Sequence, residues 1–383
     1  MSQPGIVDGL ERVLPDYGGR TLGNILPSIG SAVGMSDWQN VLGLPGALRY
    51  VVVLVDGLGH RLLQRNRDHA PYLSSLLDAA APMVCGLPST TATSLTSLGT
   101  ALPPGSHGVV GYTSRIPGTG RLLNALKWDT SIDARDWQPH PNAFERLAES
   151  GIAASIVNKS EFAYSGLTLC SQRGVPFHGV ESVWERLDVV TEVCEAEPQS
   201  VVYAYESTLD HTGHEFGCGS VEWAERLNAI DGQLRELRAA LPDDAAMLVT
   251  SDHGMVDLPL DGRFDVDAER GLLEDVVLLG GEARFRHLYV QAGSADAVAD
   301  RWRDRWGDRA VIVTREEAET AGWFGPIEEH VRPRIGDVLV AALGEFGVFS
   351  SHRFGIEMKM KGFHGSLTAE EMLIPLLVDL PFS

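Results

Sequence analysis

Leu48-Arg49-Tyr50-Val51-Val52-Val53-Leu54-Val55, running straight into Asp56-Gly57, is the stretch on which the fold turns. It is apolar and β-branched without alternation, so a strand made of it buries both faces, as strands do in a parallel sheet covered by helices. Similar runs occur at Ile152 to Val157, Val201 to Tyr205 and Ala246 to Thr250, with amphipathic stretches such as Asn142 to Glu149 and Val221 to Ala240 ahead of them. This βα rhythm predicts an α/β fold with a doubly wound, mainly parallel sheet. Ligands in such sheets sit beyond the carboxyl ends of the strands. There the chain places Asp56 after the first run, Asp210 a few residues after the third, and Ser251-Asp252-His253 after the fourth.

Composition narrows the function class. Hydrophobic residues at 44% and charged residues at 22% of 383 describe a folded protein, not a disordered one. Acidic residues outnumber basic ones 52 to 31, a formal net charge of −21 with no compensating basic block. That excludes coating of nucleic acid and docking on an anionic membrane. Four dispersed cysteines without a CxxC pair argue against a cysteine-zinc site and suit a reducing compartment. The N-terminal stretch has neither the basic start nor the apolar run of a signal peptide, so a cytoplasmic location is expected. No oligomeric state is expected from the residues alone. One catalytic domain is expected over residues 1–383, with insertions near 113–141 and 258–345 forming a cap; the second holds strand-like Arg286 to Gln291 and Ala310 to Val313 around an amphipathic Ala295 to Trp306.

Six side chains at loop positions carry metal chemistry: Asp56, Asp210 and His214 of Asp210-His211-Thr212-Gly213-His214, Asp252 and His253, and His364 of Gly362-Phe363-His364-Gly365. Three carboxylates and three imidazoles suit two sites for zinc or a similar divalent ion. Each pair alone also fits a capping or hydrogen-bonded arrangement; their order along the chain is far more specific. Between the first and second acid lies the hydroxyl-rich Pro88-Ser89-Thr90-Thr91-Ala92-Thr93-Ser94, which reads as an N-capping cluster or as a nucleophilic hydroxyl at a helix N-terminus. A hydroxyl needs an adjacent metal or base to become a nucleophile, and Asp56 marks a metal position. The Gly57-Leu58-Gly59 element lacks the third glycine of a dinucleotide fingerprint, which argues against an oxidoreductase.

In these motifs the chain resembles the alkaline phosphatase superfamily, specifically the type I phosphodiesterase / nucleotide pyrophosphatase family. The resemblance runs from about Val51 to Leu377 and is carried by Val55-Asp56-Gly57, Pro88-Ser89-Thr90-Thr91, Ser106-His107-Gly108, Asp210-x-x-x-His214, Ser251-Asp252-His253-Gly254 and His364-Gly365-Ser366. It implies an alkaline-phosphatase-like fold with inserted cap segments. The family's nucleophile stands sixteen residues before the histidine of the Ser-His-Gly element, which falls on Thr91. The resemblance further implies one zinc on Asp210, His214 and His364 and another on Asp56, Asp252, His253 and the Thr91 oxygen, with manganese or iron as alternatives. The implied reaction is hydrolysis of a small phosphoester, a nucleotide among the candidates, through a covalent phosphothreonine on Thr91. A phosphomonoesterase or a phosphonoacetate-type hydrolase on the same two metals is the alternative, and a non-catalytic metal- or nucleotide-binding module a further one. At the position where the family places an asparagine to hold a phosphoryl oxygen, this chain has Tyr112, whose phenol is a candidate for the same hydrogen bond and equally for packing.

Overall fold

The structure, a computed structural model, describes residues 5–7 and 10–380. Ten strands build its two main sheets: β1 (Arg49–Val55), β2 (Ala153–Lys159), β3 (Phe177–Val180), β4 (Ser200–Glu206), β5 (Ala245–Thr250), β6 (Val276–Glu282), β7 (Phe285–Val290), β8 (Ala310–Thr314), β9 (Val338–Ala342) and β10 (Leu376–Asp379). The central sheet has the order β10-β5-β1-β4-β2-β3. All its pairs are parallel except the edge pair β5 with β10. The mainly parallel α/β sheet expected from the sequence is therefore present.

The absence of alternation in β1 has a direct cause. Tyr50, Val52 and Leu54 enter one hydrophobic core, while Val51, Val53 and Val55 enter a second core on the other face. β4 divides in the same way, with Val201, Tyr203 and Tyr205 on one side and Val202 and Ala204 on the other. The second core is closed by Trp223, Leu227, Ile230, Leu234 and Leu237 of the helix Val221–Ala240. Their three- and four-residue spacing makes the apolar stripe of an amphipathic helix.

Between β5 and β10 the chain leaves the central sheet and forms the antiparallel sheet β6-β7-β9-β8, covered by the helix Ala295–Trp306. Residues 113–141 contribute a hairpin, Thr113–Arg115 with Leu122–Asn124, and a short helix, Ala134–Trp137. The hairpin is tied to the antiparallel sheet: the Thr113 hydroxyl donates to the Gly281 carbonyl (2.8 Å) and the Arg115 amide to the Tyr289 hydroxyl (2.8 Å). No helix among the described residues is long and apolar enough to cross a membrane, and all four cysteines are buried and free.

Candidate active site

Every candidate residue from the sequence lies at the carboxyl end of the central sheet. Asp56 follows β1, and Asp252-His253 follow β5. Asp210 and His214 occupy one face of the helix Thr208–Phe216, four residues apart, so that His214 Nε2 is 3.2 Å from Asp210 Oδ2. The turn after β1 is tight: Gly57 has φ +74°, and a Cβ there would meet the Asp210 backbone at 3.1 Å. Glycine alone takes that conformation without strain, which lets the Asp210 helix approach Asp56.

Thr91 opens the helix α1 (Thr91–Thr100), with Thr90 at its N-cap. The helix is buried along its whole length. Such burial is tolerated because its hydroxyls find partners: Thr96 and Thr100 donate to carbonyls one turn back, Ser94 to Asp252 O (2.7 Å) and Thr93 to Val109 O (3.2 Å). The helix N-terminus expected at the hydroxyl-rich segment thus brings its first hydroxyl to the metal-type residues. Thr91 Oγ1 lies 3.2 Å from His253 Nε2 and 3.5 Å from Asp56 Oδ2.

Two groups of side chains offer ligand atoms close enough to share an ion, Asp56 with Asp252 and His253, and Asp210 with His253 and His364. His253 is the pivot: its Nε2 is 3.4 Å from both Asp56 Oδ1 and Asp252 Oδ2, and its ring stacks on that of His364 at 3.7 Å. His214 stands next to the second group through Asp210, its ring 5.1 Å from that of His364.

The donor set fits divalent ions. Asp56 Oδ1, Asp210 Oδ1 and Asp252 Oδ2 are buried without any hydrogen-bond partner, an arrangement that is costly unless a cation faces them. Each imidazole is turned the same way. Nδ1 of His214, His253 and His364 lies 2.8, 3.1 and 3.0 Å from the carbonyls of Gly362, Gly254 and Ser89. Carbonyls only accept, so Nδ1 carries the proton and each Nε2 keeps its lone pair toward the site, as metal-binding histidines are oriented. Burial first, and then the Asp252 and Asp210 carboxylates, push the Asp56 carboxyl well above the usual carboxylate range. Two divalent ions would supply +4 against the −3 of the three aspartates, leaving the site attractive to phosphate in a chain of charge −21.

A cleft of about 550 Å³ opens over these residues, and Asp56, Thr91, Asp210, His214, His364 and Tyr112 line it. Asp252 and His253 are fully buried beneath. Tyr112 is half-buried; burial raises its phenol pKa, and the neighbouring Glu282 and Glu357 raise it further. Lys127 also lines the cleft, whereas Trp128 packs edge-on against Trp137 and donates to the Ile132 carbonyl. His107 braces the turn after α1, receiving the Val109 amide at Nδ1 (3.1 Å) and meeting Ser97 Oγ at 2.9 Å. His211 is exposed.

Sequence reading did not find three residues of the site. Tyr205, inside β4, donates its hydroxyl to Asp56 Oδ2; it stands one residue before the strand's end, a position that could have flagged it. Glu282 ends β6, and Glu357 opens the short 3-10 helix Glu357–Lys359.

A family model for type I phosphodiesterase / nucleotide pyrophosphatase matches residues 50–367, which include all of the residues named above. The chain belongs to the type I phosphodiesterase / nucleotide pyrophosphatase family. It is thus a member of a family of metal-dependent phosphoester hydrolases in the alkaline phosphatase superfamily. Solved structures share the fold. Murine ectonucleotide pyrophosphatase / phosphodiesterase 5, in complex with AMP, is 18% identical with a TM-score of 0.68, covering 87% of this chain and 88% of that one. Phosphonoacetate hydrolase from Sinorhizobium meliloti 1021, in complex with phosphonoformate, is 18% identical with a TM-score of 0.65, covering 99% and 94%. Among curated proteins, GPI ethanolamine phosphate transferase 3 of Eremothecium gossypii is 36% identical over 47 residues, which is 12% of this chain and 5% of that protein's length.

Proposed function

We propose that this family member hydrolyses small phosphodiesters, a nucleotide type among them, with Thr91 as nucleophile. The observation that carries the reading is the Thr91 hydroxyl, set within 3.5 Å of both Asp56 and His253 at the first position of a ten-residue helix. Free amides and the dipole of that helix end favour both a developing alkoxide and a phosphoryl oxygen. Asp56, Asp252 and His253 would hold one divalent ion, and Asp210, His214 and His364 the other. Bound there, the ions supply Lewis acidity that lowers the hydroxyl pKa and neutralises charge on the transferring group. Zinc suits this histidine and aspartate set, with manganese or iron as alternatives.

Thr91 Oγ forms the bond to phosphorus as the bond to the leaving oxygen breaks, giving a phosphothreonine that still carries the second ester group of the diester, while the hydroxyl proton leaves with the departing alcohol. Water then displaces Thr91 from phosphorus, so two inversions give net retention. Tyr205 holds Asp56 in place through its hydroxyl, and the Tyr112 phenol at the cleft wall would donate to a non-bridging oxygen. The AMP in the complex of the murine relative supports a nucleotide-like substrate. A phosphonate or phosphomonoester reading is favoured by one feature, Tyr112 in place of the family amide. We place the protein in the cytoplasm, acting as one catalytic domain with residues 113–141 and 258–345 as its cap. Turnover of an aryl phosphodiester by the zinc-loaded chain tests the proposal: Thr91→Ala should lose it by more than about a thousandfold, and a variant at wild-type rate would refute the role of Thr91.

A further inference from the structure

Glu282 and Glu357 form an acidic wall that the proposed hydrolysis leaves without a task. Both line the cleft, and they are 9% and 5% exposed. Glu282 Oε2 receives the Thr90 hydroxyl at 3.3 Å and lies 3.6 Å from His364 Nδ1, so the wall begins one residue from Thr91. Glu357 Oε2 is paired with the fully buried Arg286. The second oxygen of each, Glu282 Oε1 and Glu357 Oε1, is buried with no hydrogen-bond partner at all. Two carboxyl groups therefore share a single guanidinium. Lys127 and Lys159 also line the cleft, yet neither is ion-paired with these acids among the described residues.

A buried carboxylate oxygen without a partner is costly and is retained where something cationic meets it. Neither acid belongs to a group of three metal-type ligands among the described residues, so a further resident ion is not indicated. A cation brought by the substrate would give the two unpartnered oxygens their missing donor, and Phe363 and Tyr112, which line the same cleft, give it aromatic surroundings. We infer that Glu282 and Glu357 receive an ammonium group, and that the substrate is a phosphate ester or phosphonate carrying a primary amine a few bonds from phosphorus. This rests on the phosphoryl group binding at Thr91.

Calorimetric titration of the zinc-loaded full chain with 2-aminoethylphosphonate and with propylphosphonate tests it, since the two differ only by ammonium against methyl. The aminoethyl compound should bind at least about tenfold tighter, as a charge-assisted hydrogen bond requires, and Glu282→Gln should bring the ratio to within about threefold. A wild-type ratio below about threefold, binding of neither compound at millimolar concentration, or a ratio that Glu282→Gln leaves intact would overturn the inference. The ratio is read on the wild-type protein, so it holds even if the variant does not fold. Aryl phosphodiester turnover that depends on Thr91, with no preference for the amine, would overturn the ammonium site and keep the phosphodiesterase reading; a clear preference without any turnover would do the reverse.

Discussion

Removing Arg284 should unfold the protein more readily than any single change at its surface, and the structure gives the size of the effect. Arg284 and Glu371 are both fully buried and bidentate, Nε to Oε1 at 3.0 Å and Nη2 to Oε2 at 2.6 Å. Arg284 Nη1 also donates to the Gly344 (2.8 Å) and Phe346 carbonyls. Glu371 accepts the Ser366 amide (3.0 Å) and the Thr368 hydroxyl (2.5 Å). The pair therefore ties the loop that carries His364 to the antiparallel sheet. Arg284→Met leaves a buried carboxylate with half of its donors and two carbonyls without any, which costs about 3–5 kcal/mol. Neutralising the abandoned charge in Arg284→Met/Glu371→Gln should recover at least about 1 kcal/mol of that, a coupling of the size expected for contacting groups. The assay is urea unfolding in the presence of a chelator, followed by tryptophan fluorescence and far-UV circular dichroism and fitted only where the two transitions coincide. A single variant within about 1 kcal/mol of wild type, or a double variant less stable than the single one, would refute the reasoning.

Other expectations follow from the same geometry. Gly99→Ala would put a Cβ 1.6 Å from the Ser171 carbonyl oxygen, and should destabilise by about 1–3 kcal/mol in the same unfolding assay; a neutral outcome would mean that α1 and the helix Gly166–Ser171 separate freely. Burial lowers His107 and His287 to about 3, and each already accepts a backbone amide at Nδ1. The unfolded chain therefore binds protons that the folded chain refuses between pH 6.5 and 3, so stability should be unaffected by these groups above pH 6.5 and fall below it. By pH 5 the loss is about 2 kcal/mol for each; a flat chelator-treated stability curve from pH 7 to 5 would contradict it. Zinc should bind at two per chain by elemental analysis and raise Tm, with about 2.7 kcal/mol gained for each site at a hundredfold excess over its Kd. Tyr205→Phe should weaken that affinity about 10–100-fold by releasing Asp56, and chelator competition measures it.

The central strands were legible because burial on two faces leaves a run with no polar positions. Val51, Val53 and Val55 could not have served one core while Tyr50, Val52 and Leu54 served another if every second residue were polar. The edge strands were not read. Phe177–Val180 carries His178 and Gly179, and Leu376–Asp379 is too short for a period; each is a strand only because a neighbour offers it a partner. The run Val276–Glu282 ends in Gly280, Gly281 and Glu282, and a Cβ at Gly281 would lie 2.0 Å from the Phe285 carbonyl oxygen, so glycine is what permits the hairpin. In the site, the aspartates and histidines were legible as strand-end motifs. Arg284, Glu282 and Glu371 were not, since a charged residue in a local window reads as solvent-facing and these are buried only by partners far away along the chain. The pivot role of His253, close to both groups, is likewise a property of the assembled loops.

The central claim is that Thr91 accepts the phosphoryl group. Acid quenching of the zinc-loaded enzyme during turnover of an aryl phosphodiester, followed by peptide mass spectrometry, tests it most directly. The account predicts a covalent phosphorus adduct on Thr91, absent in Thr91→Ala; an adduct on another side chain, or undiminished turnover by Thr91→Ala, would contradict it.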